Sequence, residues 1–139
     1  SYGGYAALQS AALDPALFKA IVAIAPVTDL DRLREESRLF TNFMLVDAFI
    51  GHGAHVCEGS PAQNAARIQA PVLLFHGDLD RNVAVGESRL MADQLRSAGR
   101  KVDYVEFKGL DHYLNDSEAR TRMLAQTDGF LRTSLKIDQ

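Results

Sequence analysis

Three short runs of apolar and β-branched residues constrain the fold of this 139-residue chain more than any other feature of its sequence. They are residues 19–25, 70–76 and 101–107. The first two runs lack the polar alternation of a strand that faces water on one side, and this is typical of parallel strands covered on both faces. The sequence therefore predicts a strand at each of the three runs.

Helical patterns lie between and after these predicted strands. The apolar spacing predicts helices over residues 2–13, roughly 39–50, 86–98 and 118–135. Alternating charges over residues 31–38 are typical of a solvated helix face, and residues 51–66 are predicted to form a loop with a short helix. Strands that alternate with helices indicate an α/β fold, here with three parallel strands and about four helices.

Composition excludes several classes of partner. The net charge is -3, and the basic residues are interleaved with acidic ones, so we expect no nucleic-acid partner. No apolar run reaches the length of a membrane span, so we expect no membrane partner either. Cys57 is the only cysteine, which rules out an internal disulfide. Both a cytoplasmic and a periplasmic location stay open.

A metal site is not expected. His52 and His55 lie close to Cys57, but an H-x-x-H spacing beside loop glycines differs from the helical H-E-x-x-H pair of zinc peptidases. One cysteine is also too few for a cysteine-based zinc site within this chain. The sequence therefore predicts neither a metal nor a cofactor.

The residues that suggest catalysis follow the predicted strands. Ser1-Tyr2-Gly3 matches the second half of a G-x-S-x-G motif, in which a nucleophilic serine occupies a tight turn between strand and helix. Asp80 follows the second predicted strand and His112 follows the third. Because parallel strands end at the same edge of a sheet, we expect these side chains to meet there.

These residue types suit acyl transfer. A serine hydroxyl needs a base to accept its proton, and imidazole titrates near neutral pH, so we expect His112 to act as that base. Asp80 would orient the imidazole, and the backbone amide of Tyr2 would donate to the oxyanion. A free amine on Ser1 is an alternative base, but the downstream Asp80 and His112 favour the triad.

Four segments, at residues 1–8, 60–77, 80–83 and 109–112, together make the chain resemble a known family. They read S-Y-G-G-Y-A-A-L, S-P-x-x-x-A-x-x-I-x-A-P-V-L-L-x-H-G, D-x-x-V and G-x-x-H. The chain resembles the C-terminal part of the catalytic domain of the prolyl oligopeptidase family of serine peptidases, which includes acylaminoacyl and dipeptidyl peptidases. The resemblance implies that residues 1–139 form the C-terminal half of a single α/β-hydrolase domain, with Ser1 as nucleophile, Asp80 rather than Asp78 as the carboxylate and His112 as base.

The resemblance also implies partners outside these residues. The family's β-propeller, its earlier hydrolase strands and its second oxyanion donor have no counterpart in the 139 residues. The first predicted strand would then have an open edge, and open edges are templates for pairing. We therefore expect the isolated chain to self-associate through this edge or to pair with a missing N-terminal half.

The expected function is a serine peptidase that cleaves short peptides through an acyl-enzyme. We expect Phe40, Phe43 and Phe49 to line the substrate pocket, because their helix follows the first predicted strand. A carboxylesterase with the same triad is one alternative. A catalytically silent fragment that acts only in assembly is another, because we expect the isolated chain to be poorly active without a second oxyanion donor.

Overall fold

The computed structural model describes residues 1–137. In this range the chain forms three strands, six α-helices and two 3₁₀ helices. The strands are β1 (Ile21–Ile24), β2 (Val72–Gly77) and β3 (Val102–Phe107). The α-helices are α1 (Tyr2–Leu13), α2 (Leu30–Glu36), α3 (Phe43–Ile50), α4 (Ala54–Glu58), α5 (Gly86–Ser97) and α6 (Ser117–Leu135). The 3₁₀ helices span Ser37–Leu39 and Pro61–Arg67.

The three strands form one parallel sheet in the order β1-β2-β3. Val72 at the start of β2 pairs with Ile21 of β1 on one side and with Val102 of β3 on the other. Every residue of β2 is buried, which explains why its sequence is apolar without alternation. The predicted α/β fold with three parallel strands is thus confirmed, and all three strands end at one edge of the sheet.

Helices cover both faces of the sheet. On one face, Leu8 of α1 and Met91 of α5 are fully buried against Leu74 of β2. On the opposite face, Phe75 and Phe107 stack with their ring centroids 6.0 Å apart, beneath residues of α6 that include Ala119. The core therefore consists of two layers that fix the strand ends relative to α1 and α6.

All four predicted helices are present. Two further helices lie where the sequence indicated a charged helix face and a loop with a short helix. The predicted helix at 39–50 starts later, at Phe43, because Phe40 has an extended backbone that separates α3 from the 3₁₀ helix before it. The charged run forms α2, and the irregular segment at 51–66 holds α4 and part of a 3₁₀ helix. Within residues 1–137, none of the helices combines the length and apolar character needed to cross a bilayer.

Strand β1 lies at an edge of the sheet. Among the described residues it pairs only with β2, and Ile24 at its end is 40% exposed. Helix α1 lies close to the end of this strand. A Cβ at Gly4 would lie only 2.8 Å from the Cβ of Pro26, which follows β1. Self-association through the open edge of β1 stays a prediction.

A buried carboxyl, Glu87 in the first turn of α5, connects α5 to the segment that follows β1. Its Oε2 accepts hydrogen bonds from the backbone N–H groups of Thr28 and Asp29 at 3.2 and 3.0 Å. Its Oε1 has no partner among the described residues. Burial, strengthened by the nearby charge of Glu36, raises the pKa of Glu87 from 4.5 to about 7.

This carboxyl makes the stability of the domain depend on pH. Because folding raises the pKa of Glu87, its stabilising contribution is complete below pH 4.5 and is lost as the pH rises through about 7. We expect the free energy of unfolding to fall by about 3 kcal/mol across this window, and Glu87→Gln to remove that dependence. Thermal unfolding between pH 4 and pH 8 measures it. Glu58→Gln, which alters an exposed carboxyl, is the control, and an unchanged profile in Glu87→Gln would contradict the prediction.

Candidate active site

The predicted catalytic residues all lie at the edge of the sheet where the strands end. Ser1 is the N-cap of α1, and its backbone nitrogen donates to the carbonyl of Ile24 at the end of β1, at 3.0 Å. Asp80 lies in the loop after β2, and His112 lies in the loop between β3 and α6. The parallel sheet therefore places residues that are distant in sequence near one another.

Asp80 and His112 are joined directly. His112 Nδ1 lies 2.6 Å from Asp80 Oδ2, and because the carboxylate can only accept, Nδ1 carries the hydrogen. The Asp80 side chain is fully buried, whereas the His112 side chain is 16% exposed. This geometry fixes the imidazole tautomer and leaves Nε2 as the nitrogen that can accept a proton.

The Asp80 carboxylate is held ionised by its donors. Burial alone raises the pKa of Asp80, but hydrogen bonds from His76, His112 and the backbone N–H groups of Asn82 and Val83 outweigh it and lower the pKa to about 2. The two backbone donors lie 2.8 and 2.9 Å from Oδ1. Asp80 is therefore charged at neutral pH.

Ser1 and His112 line one cavity of about 860 Å³. Within residues 1–137 no hydrogen bond joins their side chains, and the bond between a nucleophile and its base is often long before substrate binds. Helices α2 and α3 supply half of the other lining residues, and all of these are apolar. The contributing residues are Leu30, Leu33, Leu45, Val46, Phe49 and Ile50.

The backbone amide of Tyr2 is the first N–H of helix α1 and has no intrahelical acceptor. Tyr2 also lines the cavity beside Ser1. An N–H at a helix N-terminus favours negative charge, so this amide is positioned for the oxyanion role predicted from the sequence. That role stays a prediction.

The predicted aromatic pocket needs correction. Of the three phenylalanines, Phe49 lines the cavity, whereas Phe40 and Phe43 do not. Phe40 precedes α3, and the Phe43 ring lies 5.3 Å from the Arg38 guanidinium. The face of α3 that lines the cavity with Ser1 consists of Leu45, Val46, Phe49 and Ile50.

Backbone contacts hold the His112 loop against the Asp80 loop. Leu79 N donates to Leu110 O at 3.0 Å, and Asp78 Oδ1 accepts from the Gly109 N–H at 2.6 Å. A Cβ at Gly77 would overlap with the carbonyl oxygen of Leu110. A glycine at the end of β2 therefore lets the two loops approach closely, and Asp78 joins the loops instead of contacting His112.

The histidines near Cys57 have other partners. His55 Nε2 lies 2.8 Å from the Ile50 carbonyl, and His52 Nε2 lies 3.4 Å from Asp47 Oδ1. Among residues 1–137, no three histidine, cysteine, aspartate or glutamate side chains gather as metal ligands would.

Sequence reasoning did not identify His76 as part of the site. Its Nε2 lies 3.2 Å from Asp80 Oδ2, beneath the carboxylate that contacts His112. A histidine inside the otherwise apolar strand V-L-L-F-H-G was the available signal, because a buried polar ring needs hydrogen-bond partners.

Comparison with solved structures finds peptidases of the same fold. A puromycin-hydrolyzing peptidase from Mycobacterium tuberculosis is 26% identical, with a TM-score of 0.88 over 99% of this chain and 21% of that chain. Dipeptidyl peptidase 4 from Porphyromonas gingivalis is 26% identical, with a TM-score of 0.78 over 94% of this chain and 18% of that chain. The acylaminoacyl peptidase of Pyrococcus horikoshii shares the fold at 21% identity, with a TM-score of 0.86 over 99% of this chain and 23% of that chain.

Comparison of sequences also finds a peptidase. The uncharacterized peptidase YtmA of Bacillus subtilis (strain 168) is 35% identical over 69 residues, which are 48% of this chain and 27% of that protein. The chain thus spans about a quarter of this relative and about a fifth of the solved structures. The sequence model of the prolyl oligopeptidase family matches residues 1–138. With the α/β-hydrolase fold and this match over nearly its whole length, the chain belongs to the prolyl oligopeptidase family of serine peptidases.

Proposed function

We propose that the full-length protein carrying this chain is a serine peptidase that cleaves short peptides through an acyl-enzyme formed on Ser1. The observation that carries the proposal is the 2.6 Å hydrogen bond between Asp80 and His112, at a cavity that Ser1 also lines. A buried carboxylate, an imidazole and a hydroxyl at one sheet edge are the groups that acyl transfer needs.

The geometry supports a two-step mechanism. His112 Nε2 accepts the Ser1 hydroxyl proton as Oγ attacks the substrate carbonyl, and the buried Asp80 charge stabilises the imidazolium. The Tyr2 amide donates to the oxyanion that forms on the substrate. His112 then protonates the leaving amine, and a water molecule activated by the same imidazole hydrolyses the acyl-enzyme.

The cavity wall indicates the kind of substrate. Because α2 and α3 present leucine, valine, isoleucine and phenylalanine side chains near Ser1, an apolar side chain or acyl group beside the scissile bond would gain most from binding. Two matched structures are an acylaminoacyl peptidase and a dipeptidyl peptidase. We therefore propose N-acylated amino acids or dipeptides with apolar residues as the groups released.

A fluorophosphonate probe tests the nucleophile, because it reacts with activated serine hydroxyls. In the full-length protein we expect mass spectrometry to find the label on Ser1 and Ser1→Ala to abolish it, while Ser97→Ala, which changes an exposed serine of α5, keeps it. Hydrolysis of matched acyl-peptide amides and esters by the same preparation separates a peptidase from a carboxylesterase. Labelling that persists in Ser1→Ala would contradict the proposal.

The isolated chain is expected to react more slowly than the full-length protein. By the family resemblance, the second oxyanion donor comes from a loop that precedes the nucleophile, and one missing donor costs about 10²–10³ in kcat. The rate at which the same probe labels residues 1–139, compared with its rate on the full-length protein, measures this difference. Labelling of the fragment at Ser1 at the full-length rate would remove the silent-fragment alternative.

A further inference from the structure

His76 is a histidine with no exposed surface, located near the end of strand β2. Its ring lies between strand and helix, where Ser88 of α5, Val83 and Asp80 supply its polar contacts. It does not line the cavity shared by Ser1 and His112. Any effect of His76 on chemistry must therefore act through another residue.

The contacts of the ring determine where its hydrogen lies. Nε2 lies 2.8 Å from the carbonyl oxygen of Val83 and 3.2 Å from Asp80 Oδ2. Both partners accept hydrogen bonds, so Nε2 must carry the hydrogen. Nδ1 lies 2.7 Å from Ser88 Oγ, whose hydroxyl can donate to it. The ring thus carries a hydrogen on Nε2, where Val83 O accepts it and Asp80 Oδ2 lies 3.2 Å away.

The Nε2–H of His76 belongs to a set of contacts that surrounds the Asp80 carboxylate. His76 donates to Val83 O, and the Val83 N–H donates to Asp80 Oδ1 at 2.9 Å. Oδ2 accepts from His112 at 2.6 Å, and His76 Nε2 lies 3.2 Å from the same oxygen. Without His76, the Val83 carbonyl would lose its donor, and the loop segment whose Asn82 and Val83 N–H groups hold Oδ1 would be fixed less firmly.

We propose that His76 is a positioning residue for hydrolysis, because its Nε2–H donates to Val83 O and so holds the loop segment whose N–H groups fix Asp80 Oδ1 while Oδ2 accepts from His112. The inference rests on the proposed function, since it requires Asp80 and His112 to act together on Ser1. It assigns a role to the histidine that precedes Gly77, beyond the structural role of filling the core.

A matched pair of substitutions tests the proposal in the full-length protein. The amide nitrogen of His76→Gln reaches the position of Nε2, whereas the amide of His76→Asn reaches only the position of Nδ1. We expect His76→Asn to lower kcat by about 10-fold to 100-fold with little change in KM, and His76→Gln to restore most of the loss. The rates are normalised to the sites that react with the fluorophosphonate probe, so any unfolded protein is not counted. Equal losses in both variants would overturn the proposal.

A control variant separates positioning from general destabilisation. Like His76→Asn, Ser60→Ala removes a buried hydrogen-bonding group. The Ser60 hydroxyl accepts from Leu30 N at 2.8 Å, and none of its hydrogen bonds within residues 1–137 involves Asp80. We expect Ser60→Ala to lower the thermal midpoint as His76→Asn does, with a much smaller change in kcat per labelled site. If kcat followed the loss of stability in both variants alike, His76 would have only a structural role.

A double-mutant cycle tests whether His76 acts through Asp80. We expect the His76→Asn loss to shrink to near zero when Asp80 is already asparagine, since the group being positioned has gone. If His76→Asn lowered kcat by the same factor whether residue 80 is aspartate or asparagine, the proposal would be overturned. In the wild-type protein, selective ¹⁵N labelling of histidine must show the Nε2–H tautomer at His76, and an Nδ1–H tautomer would overturn it without any variant.

Failure of this inference is distinguishable from failure of the proposed function. If Ser1→Ala abolishes hydrolysis while His76→Asn keeps full kcat, only the positioning role is wrong. If Ser1→Ala keeps hydrolysis, the proposed function itself is wrong.

Discussion

His112→Ala is expected to lower kcat by roughly 10⁶-fold, the largest loss of any substitution in this chain apart from that of Ser1. His112 is the only imidazole joined to Asp80 that also faces the Ser1 cavity among the described residues. Without it, no imidazole hydrogen-bonded to Asp80 is left in the described part of this cavity to accept the hydroxyl proton and protonate the leaving amine. Steady-state hydrolysis of an acyl-peptide amide by the full-length protein measures the loss.

The matched control for this substitution is His52→Ala. The His52 side chain is 70% exposed, its Nε2 lies 3.4 Å from Asp47 Oδ1, and it does not line the cavity with Ser1. We expect His52→Ala to keep kcat near the wild-type value and His112→Ala to lose fluorophosphonate labelling together with hydrolysis. Substantial hydrolysis by His112→Ala would show that another base, such as an amine, serves Ser1.

Asp80→Asn is expected to lower kcat by about 10⁴-fold while the protein stays folded. The asparagine amide can turn its N–H toward His112 Nδ1, which then becomes the acceptor and places the ring hydrogen on Nε2. An imidazole in that tautomer cannot take the Ser1 proton. The loss is smaller than for His112→Ala because the base remains present in part of the population.

Asp78→Asn provides the control, two residues away in the same loop. Asp78 Oδ1 accepts from the Gly109 N–H, and an asparagine side chain can accept the same hydrogen bond. We expect kcat to change little in Asp78→Asn, with far-UV circular dichroism unchanged in both variants. Comparable losses in the two variants would mean that Asp80 has no special role in the triad.

The fold and the positions of Asp80 and His112 were predictable from sequence because they depend on local patterns. The buried strand β2 has an apolar sequence without alternation, and the chain order of serine, aspartate and histidine places each residue after a strand or before a helix. The two residues then meet because parallel strands end at one edge, which is a property of the sheet and not of any single residue.

Long-range side-chain contacts were not predictable in this way. The role of His76 depends on Val83 and Ser88 meeting one ring from two directions, and no local pattern encodes that meeting. The pocket was only partly predicted, because Phe40 has an extended backbone outside α3 and because Phe43 and Phe49, six residues apart, lie on different faces of that helix.

The backbone contacts between the two site loops have a consequence for engineering this protein. Because Leu79 N contacts Leu110 O and Gly77 leaves room for that carbonyl, the spacing of the loops depends on main-chain atoms and on the absence of one side chain. The exposed side chain of Leu79 takes no part in that spacing, whereas the Tyr113 ring meets the His112 ring edge-on with centroids 5.9 Å apart. A library that varies Leu79 while keeping Gly77 and Tyr113 can therefore alter the surface beside the site without moving the base away from its carboxylate.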